Sequence, residues 1–330
     1  MKVIVTGGCG FIGTNVVLNL LEHNQVEAVV VIDKMTYASN DKLMELAYFH
    51  ANLFIVKDDI VNIEKYNTLH DFDFCIHMAA ESHVDKSLHE LDNFIHTNVK
   101  GTYEVAKWCF KNDIKLIHFS TDEVYGHLDF EDEDRFEEED YPKPRNPYAV
   151  SKLFAEQMID LANIEYHEKG KYLILRPSNN FGEYQDKTKF IPVILNSIKN
   201  DKKIPVYGEG KNEREWLYVG DTADIVTHLV TEEHNSVGHN FKINDGYLKY
   251  LNLGSGVDLS NVELIKNICE ILDTDADNHI EFVEDPRGNM HDLKYAVDSF
   301  KLSCIYDTTK IKSNFKSNLK RTIEWFQSQK

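Results

Sequence analysis

The chain has 330 residues, of which 42% are hydrophobic and 11% aromatic, and a formal net charge of −19 at pH 7. This length suits two domains, or one doubly wound domain with a substantial attachment, and the hydrophobic fraction can build a packed core. So acidic a surface repels phosphate backbones and anionic lipids, which excludes nucleic acid and membranes as general partners but not a small anionic ligand in a locally positive pocket.

The first half of the chain alternates apolar runs with stretches of helical periodicity. The apolar runs lie at residues 2–6, 27–32, 52–56, 73–78, 114–120 and 172–176. The helical stretches lie at residues 11–21, 93–111 and 147–167, the last with Pro147 in its first turn. Strands that are covered on both faces read as nearly continuous apolar runs. The alternation therefore predicts an α/β fold with a doubly wound parallel sheet.

The pattern changes after Pro177, where short helices and strands come with more turn residues. We place a domain boundary near residue 178. It divides the chain into a first domain of residues 1–178 and a smaller, mixed α/β domain of residues 179–330, some segments of which return to the first. Further on, Ser260 and Glu263 have the spacing of a capping box before an apolar helical run.

A glycine-rich turn joins the first strand to the first helix, and residues 6–13 read TGGCGFIG. Gly7 allows a tight turn, Gly10 lets backbone approach a pyrophosphate, and Gly13 lets helix and strand pack closely. The helix N-terminus faces the phosphates, and Phe11 and Ile12 lie in the same turn. The position between strand and helix predicts a dinucleotide site in the first domain.

Asp33 indicates which dinucleotide binds. It ends the second strand, 20 residues after Gly13. A carboxylate there accepts both ribose hydroxyls of NAD and repels the 2′-phosphate of NADP, an exclusion that Lys34 beside it weakens. Asp59 and Ile60, which follow the third strand, are candidates for contact with the adenine. We therefore expect NAD as the cofactor.

Tyr148 and Lys152 are four residues apart on a predicted helix, within YAVSK, so they lie on one face. A tyrosine with a pKa near 10 is a poor base at neutral pH. A nearby ammonium and the positive nicotinamide ring favour the phenolate. Tyr148 could then remove a proton from a sugar hydroxyl while hydride leaves the same carbon.

Together these motifs resemble the extended short-chain dehydrogenase/reductases, and most closely the nucleotide-sugar 4,6-dehydratases of the dTDP-glucose type. The matching segments follow the family order almost end to end. They read TGGCGFIG at 6–13, DKMTYASN at 33–40, MAAESHVDKSL at 78–88, TNVKGT at 97–102, STDEVYG at 120–126, NPYAVSK at 146–152, RPSNNFGEYQ at 176–185, IPVYGEGKNEREWLYVGD at 204–221 and YLNLGSG at 250–256. The resemblance implies a Rossmann-type NAD-binding domain followed by a nucleotide-sugar-binding domain.

The segment that discriminates between reactions is Thr121, Asp122 and Glu123, at the carboxyl edge of the sheet. Elimination of water needs one group to take the C5 proton and another to protonate the C6 hydroxyl. Adjacent carboxyls can divide these roles if their environments push their pKa values apart. By resemblance, Asp122 is the acid at O6, Glu123 is the base at C5, and Thr121 bonds the sugar near O4. The implied enzyme is a lyase that recycles NAD and forms a 4-keto-6-deoxy sugar.

The resemblance also implies contacts whose positions are individually less specific. Further residues along the cofactor are Ala79, Ala80, Thr97 and Asn180. Residues on the nucleotide sugar are Ser82, Asn179, Lys189, Val206, Tyr207, Arg214, Asn252 and Arg287. Two segments depart from the family pattern: residues 285–295 read DPRGNMHDLKY where the family reads DRPGHDRRY, and FPEK has become DKTK at 186–189. The base and the C2 substituent therefore stay open among dTDP-glucose, UDP-glucose and UDP-N-acetylglucosamine.

Other interpretations compete with the dehydratase. Dehydration with inversion at C5 and a 4-epimerase are the enzymatic alternatives, and the second would not need Asp122 and Glu123. A non-catalytic NAD-binding regulator would not need an acid, a base and a phenolate together.

The histidines, the cysteines and two predicted helices bear on metal binding, compartment and assembly. The histidines have no ligand-like spacing, so we expect no metal. Five scattered cysteines without a CxxC pair, no signal peptide and no apolar run of about 20 residues predict reduced thiols in the cytoplasm. The resemblance implies a homodimer through helices 93–111 and 147–167, with a tetramer as the alternative.

Overall fold

The structure is a computed structural model that describes residues 1–69, 71–167, 170–235, 242–243, 246–285, 288 and 291–329. Its strands are β1 (Lys2–Thr6), β2 (Ala28–Asp33), β3 (Leu53–Lys57), β4 (Phe74–His77), β5 (Lys115–Phe119), β6 (Tyr172–Pro177), β7 (Asn179–Phe181), β8 (Ile204–Tyr207), β9 (Glu213–Tyr218), β10 (Lys242–Ile243), β11 (Gly246–Tyr247), β12 (Tyr250–Leu253), β13 (Asp258–Ser260) and β14 (Ile280–Val283).

The α-helices are α1 (Phe11–Glu22), α2 (Lys42–Ala47), α3 (Val84–Ser87), α4 (Leu91–Phe94), α5 (Thr102–Lys111), α6 (Pro147–Glu165), α7 (Phe190–Lys199), α8 (Val219–Asn235), α9 (Asn261–Ile271), α10 (Phe300–Ser303) and α11 (Phe315–Ser328). A π-helix spans Ile95–Gly101, and 3₁₀-helices span Ile60–Leu69, Asp122–Tyr125 and Ala276–Asn278.

The central sheet has seven parallel strands in the order β12-β6-β5-β4-β1-β2-β3. Side chains of β1 alternate between two cores, since Val3 and Val5 pack on one face of the sheet and Ile4 on the other. The predicted doubly wound fold is confirmed. The chain leaves β1 in one direction and returns to β4 on the other side, and ligands bind at such a switch point, beyond the carboxyl ends of the strands.

Residues beyond 178 contribute to both parts of the molecule. β12 pairs in parallel with β6 and α8 packs against α1, so these two segments belong to the first unit. A smaller unit contains the sheet β13-β9-β7 and the pair β14-β8, and α7, α9 and α11 pack around a separate apolar core. The predicted capping box is present at the start of α9, where Ser260 and Glu263 bond each other's backbone amides.

The helical stretch predicted at 93–111 has a more complex form. It starts at Leu91 and contains the π-helical turn 95–101 between α4 and α5. A π-turn adds a residue to the helical repeat and so changes which side chains face inward, a feature common at functional sites. Here Asn98 is fully buried and donates from Nδ2 to Ser151 Oγ on α6 at 2.9 Å. The apolar periodicity alone could not predict this change in which side chains face inward.

The thiols, the helix lengths and the potential metal ligands each bear on an expectation from the sequence. The cysteines are free thiols, buried at 9, 75, 109 and 269 and exposed at 304. None of the helices in the described residues combines the length and apolar character needed to cross a bilayer. Within the same residues, no group of three or more His, Cys, Asp or Glu side chains is arranged to hold a metal ion.

Candidate active site

A cavity of about 550 Å³ lies at the carboxyl edge of the central sheet, between the two units. The glycine turn and the ends of β2, β4 and β5 line one side, together with the first turns of α6. Residues of the smaller unit, such as Tyr207 and Arg214, line the other side. The cavity therefore joins the predicted cofactor residues to most of the predicted substrate residues.

The glycine turn leaves no room for side chains. Gly7 has a φ of +69°, and a Cβ there would lie 2.5 Å from the backbone nitrogen of Ala79. A Cβ on Gly13 would lie 2.3 Å from the carbonyl oxygen of Gly7. Gly10 caps α1 without a side-chain hydrogen bond. Gly7, Gly10, Phe11, Ile12 and Gly13 all line the cavity. This cradle with a bare helix N-terminus fits a diphosphate.

Asp33 lies where a ribose of the cofactor would be recognised. Its Oδ2 accepts from the backbone nitrogen of Cys9 at 2.9 Å and its Oδ1 from that of Met35 at 2.8 Å. Burial raises the pKa of Asp33, while these two hydrogen bonds act in the opposite direction. Lys34 pairs with Asp59 at 2.8 Å. Because Asp59 pairs with the Lys34 ammonium, the positive charge of Lys34 has less influence on the ribose site at Asp33.

Tyr148 and Lys152 lie in the first turns of α6, and both line the cavity. Burial lowers the pKa of Lys152 to about 8, although Glu156 one turn further on favours the charged form. Lys152 Nζ donates to the carbonyl oxygen of Phe119 at 2.5 Å. Desolvation raises the pKa of Tyr148 above 10, with Glu123 adding to the rise. A cation beside the phenol is therefore needed before Tyr148 can act as a base at neutral pH.

Asp122 and Glu123 are adjacent in sequence but differ in environment. Asp122 is 3% exposed, and its pKa is raised well above the usual value, first by burial and then by the charge of Glu123. Its Oδ1 accepts from the hydroxyl of Thr121 at 3.2 Å, and its buried Oδ2 has no hydrogen-bond partner among the described residues. Glu123 is partly buried and accepts from Asn146 Nδ2 at 2.8 Å. Burial therefore favours the acid form of Asp122.

Most other predicted contact residues also reach the cavity. The lining residues predicted for the cofactor are Asp59, Ile60, Ala79, Ala80, Thr97 and Asn180. Those predicted for the substrate are Ser82, Asn179, Lys189, Tyr207 and Arg214. Lys189 Nζ donates to the carbonyl oxygen of Ser82 at 3.2 Å. Arg214 donates to the carbonyl oxygens of Glu213 at 2.7 Å and Asp292 at 3.0 Å, so backbone acceptors fix its guanidinium at the cavity wall.

Among the described residues, two that were predicted for the substrate, Val206 and Asn252, are absent from the cavity lining. Val206 is 1% exposed and packs in the core of the smaller unit. Asn252 is fully buried, where its side-chain oxygen accepts from Tyr125 at 2.8 Å and its Nδ2 donates to the carbonyl oxygen of Phe136 at 2.9 Å. These bonds make Asn252 part of the folded scaffold, and its contact with the substrate stays a prediction. Arg287 lies outside the described residues.

The structure adds lining residues that the sequence motifs did not single out: Asn146, Trp216, His291, Asp292 and Tyr295. The last three lie within segment 285–295, which departs from the family pattern. Tyr295 donates its hydroxyl proton to Asp292, which also pairs with Arg145 at 2.9 Å. Asn146 could have been recognised as a helix N-cap, since it is an asparagine immediately before Pro147.

Comparisons with known proteins agree with this geometry. Residues 3–244 match the model of the NAD dependent epimerase/dehydratase family. The low-salt glycan biosynthesis protein Agl12 of Haloferax volcanii is 38% identical over 307 residues, 92% of each chain. A dTDP-glucose 4,6-dehydratase of Mycobacterium tuberculosis is 32% identical, over 99% of this chain and 93% of the relative. Among solved structures, the dTDP-glucose 4,6-dehydratase DesIV of Streptomyces venezuelae, with NAD and TYD bound, matches with a TM-score of 0.85 and 28% identity over 100% of this chain and 98% of its own.

Proposed function

Because the chain belongs to the NAD dependent epimerase/dehydratase family, we propose that it is an NAD-dependent nucleotide-sugar 4,6-dehydratase, a hydro-lyase. The substrate is a nucleotide-diphosphohexose and the product its 4-keto-6-deoxy derivative. The observation that carries this proposal is the pair Asp122 and Glu123, which lie in different environments in the cavity that also holds Tyr148 and Lys152. A 4-epimerase needs no such pair.

The residues of the cavity fit NAD. Gly7 and Gly13 leave the turn open where any Cβ would clash with backbone, and Asp33 offers a carboxylate to a ribose. NAD held by these residues would supply reversible hydride transfer, from C4 of the sugar and back to C6, and so would not be consumed. Phe11, Ile12 and Thr97 line the same side of the cavity.

Oxidation at C4 depends on Tyr148, Lys152 and Thr121. Tyr148 takes the proton of the O4 hydroxyl as C4 loses its hydride. The ammonium of Lys152 stabilises the phenolate, and the Thr121 hydroxyl hydrogen-bonds the sugar near O4. Because the pKa of Lys152 is about 8, its side chain is mostly protonated at neutral pH.

Elimination depends on the two carboxyls. The C4 ketone acidifies the C5 proton, which Glu123 takes as a carboxylate base. Asp122, kept in the acid form by burial, gives its proton to the C6 hydroxyl, which leaves as water. Once C6 has gained its hydride, a proton returns to C5, which completes the 4-keto-6-deoxy product.

The substrate side of the cavity suits a diphosphate. Lys189 and Arg214 bring positive charge to its wall, near Ser82 and Asn179. We propose dTDP-glucose as the substrate, because relatives that match over nearly the whole chain carry that activity. UDP-glucose and UDP-N-acetylglucosamine are the alternatives for the test below.

We propose further that the enzyme is a cytoplasmic homodimer. The helices expected at the dimer interface expose apolar side chains, including Ile95 at 46%, Phe154 at 46% and Ile164 at 63%. Exposed large apolar side chains on these helices favour an interface there. Four buried free thiols suit a reducing compartment.

The test is the mass of the product formed from each of the three nucleotide sugars with NAD. Loss of one water without net reduction of the cofactor establishes the dehydratase, and the preferred sugar identifies the base and the C2 substituent. The Glu123→Gln variant is the matched control, which keeps the shape of the side chain and removes the base. An unchanged mass with an epimerised product would refute the assignment of Asp122 and Glu123, and inactivity toward every sugar would favour an NAD-binding regulator.

A further inference from the structure

Asn146 connects the proposed base to the helix that carries Tyr148 and Lys152. It is 4% exposed, lines the cavity and caps α6. Its Oδ1 accepts from the backbone nitrogen of Ala149 at 2.8 Å, and its Nδ2 donates to Glu123 Oε2, also at 2.8 Å. One amide group thus holds both the first turn of α6 and the carboxylate.

The backbone of α6 fixes which way this amide faces. The N–H of Ala149 can only donate, so the atom opposite it must be the amide oxygen. The NH₂ group is then directed at Glu123, although the two ends of an asparagine side chain are otherwise hard to distinguish. Capping the helix therefore obliges Asn146 to present a donor to the carboxylate.

A base that removes a proton from carbon must be held in a defined orientation. Glu123 lies on a single 3₁₀ turn, Asp122–Tyr125, which by itself leaves a glutamate side chain several rotamers. A donor at 2.8 Å on Oε2 restricts those rotamers and matches the acceptor character of a carboxylate.

We propose that Asn146 is a positioning residue for the elimination step, which orients the Glu123 carboxylate toward C5 of the substrate. The inference rests on the 4,6-dehydratase function proposed above. Asn146 acts through Glu123, so its loss slows removal of the C5 proton far more than oxidation at C4. Its capping role alone would instead affect the stability of α6 and every step that depends on Tyr148.

Three variants separate the two roles of Asn146. Asn146→Asp keeps the cap and places an acceptor against Glu123. Asn146→Ser also keeps a capping oxygen but is too short to reach Glu123, and Asn146→Ala removes both the cap and the donor. If the donor is what matters, the aspartate and serine variants fail at elimination despite an intact cap. If only the cap matters, these two behave as the wild type and alanine alone is impaired.

The experiment follows single turnovers of each variant with the sugar nucleotide that the wild type dehydrates. C4 oxidation is measured from the absorbance of the reduced cofactor, and water loss from the product mass. We expect elimination to slow about 10- to 100-fold in Asn146→Ser, the effect of losing a hydrogen bond to a charged group, and further in Asn146→Asp. Reduced cofactor then accumulates transiently, and a deuterium isotope effect from C5 appears on water loss.

Either of two results would overturn the inference. One is wild-type water loss in both capped variants. The other is an equal slowing of C4 oxidation and elimination, without transient reduced cofactor, which would indicate a general disturbance of α6. Thermal unfolding of each variant measures the cap separately. If the wild type itself releases no water, both the proposed function and the role of Asn146 in elimination fail. That result differs from a defect that is found only in the variants.

Discussion

Lys152→Met is expected to abolish activity and yet stabilise the folded protein. Lys152 is 3% exposed, and burial lowers its pKa from 10.5 to about 8. The folded state therefore holds the ammonium less favourably than the unfolded chain does. Methionine has a similar volume and no charge, so it occupies the same space without that cost. Activity is lost because the phenolate of Tyr148 loses its nearest proposed cation.

The magnitude follows from the two pKa values. Their difference, at 1.36 kcal/mol per pH unit, corresponds to about 3 kcal/mol. The substitution also removes the hydrogen bond from Lys152 to the carbonyl oxygen of Phe119, which offsets about 1 kcal/mol. The net gain is thus about 2 kcal/mol at pH 7. Between pH 8 and 10.5 the unfolded chain binds more protons at this position than the folded chain, so the wild type regains stability as the pH rises and the advantage of the variant disappears.

Urea unfolding of both proteins between pH 7 and pH 10 measures this difference, because all other titrating groups are common to the two. Lys320→Met is the matched control, since Lys320 is 65% exposed on α11 and its removal relieves no burial. The control variant is expected to follow the wild type at every pH. A Lys152→Met protein less stable than the wild type at pH 7, or a stability difference that does not change with pH, would refute the reasoning.

Three further predictions concern the cavity. Asp122→Asn is expected to slow water loss at least about 100-fold while reduced cofactor accumulates, because the amide cannot supply a proton. Since burial raises the pKa of Asp122 in the wild type, a pH–rate profile should show water loss declining as the pH rises through that raised pKa. Asp33→Asn is expected to raise the Kd for NAD about tenfold and to reduce discrimination against NADP, measured by titrating the cofactor-free protein with both cofactors. Gly13→Ala places a Cβ 2.3 Å from the Gly7 carbonyl oxygen, so we expect loss of retained cofactor and a lower Tm.

The parts of the fold that follow from local pattern could be predicted from the sequence. Buried parallel strands have a nearly continuous apolar signature, and each predicted run lies within one or two residues of an observed strand. Pro147 begins α6 and Ser260 caps α9 as expected, because caps depend on residues close in the chain. The glycine turn and Asp33 could likewise be placed, since their spacing along β1, α1 and β2 fixes their geometry.

The features that could not be predicted depend on contacts between distant segments. The π-turn at 95–101 leaves no mark in the apolar periodicity, and it is recognisable only through buried bonds such as that from Asn98 to Ser151. Asn252 matches a family motif, yet its side chain forms hydrogen bonds with Tyr125 and with the backbone of Phe136. A motif identifies a position in the chain, whereas the hydrogen bonds of the fold decide whether its side chain remains available to a ligand.

The acid and the base of the proposed elimination are separated by a single peptide bond. Successive residues of a tight turn face different surroundings, so Asp122 enters the protein interior while Glu123 stays partly accessible beside Asn146. The charge of Glu123 contributes to the raised pKa of Asp122, so the base helps to keep the acid protonated. Once Glu123 has taken the C5 proton this repulsion ends, and Asp122 becomes a stronger acid when the C6 hydroxyl must leave. The order of the two proton transfers thus follows from their proximity, and exchanging the two residues would place the base where burial disfavours its charge.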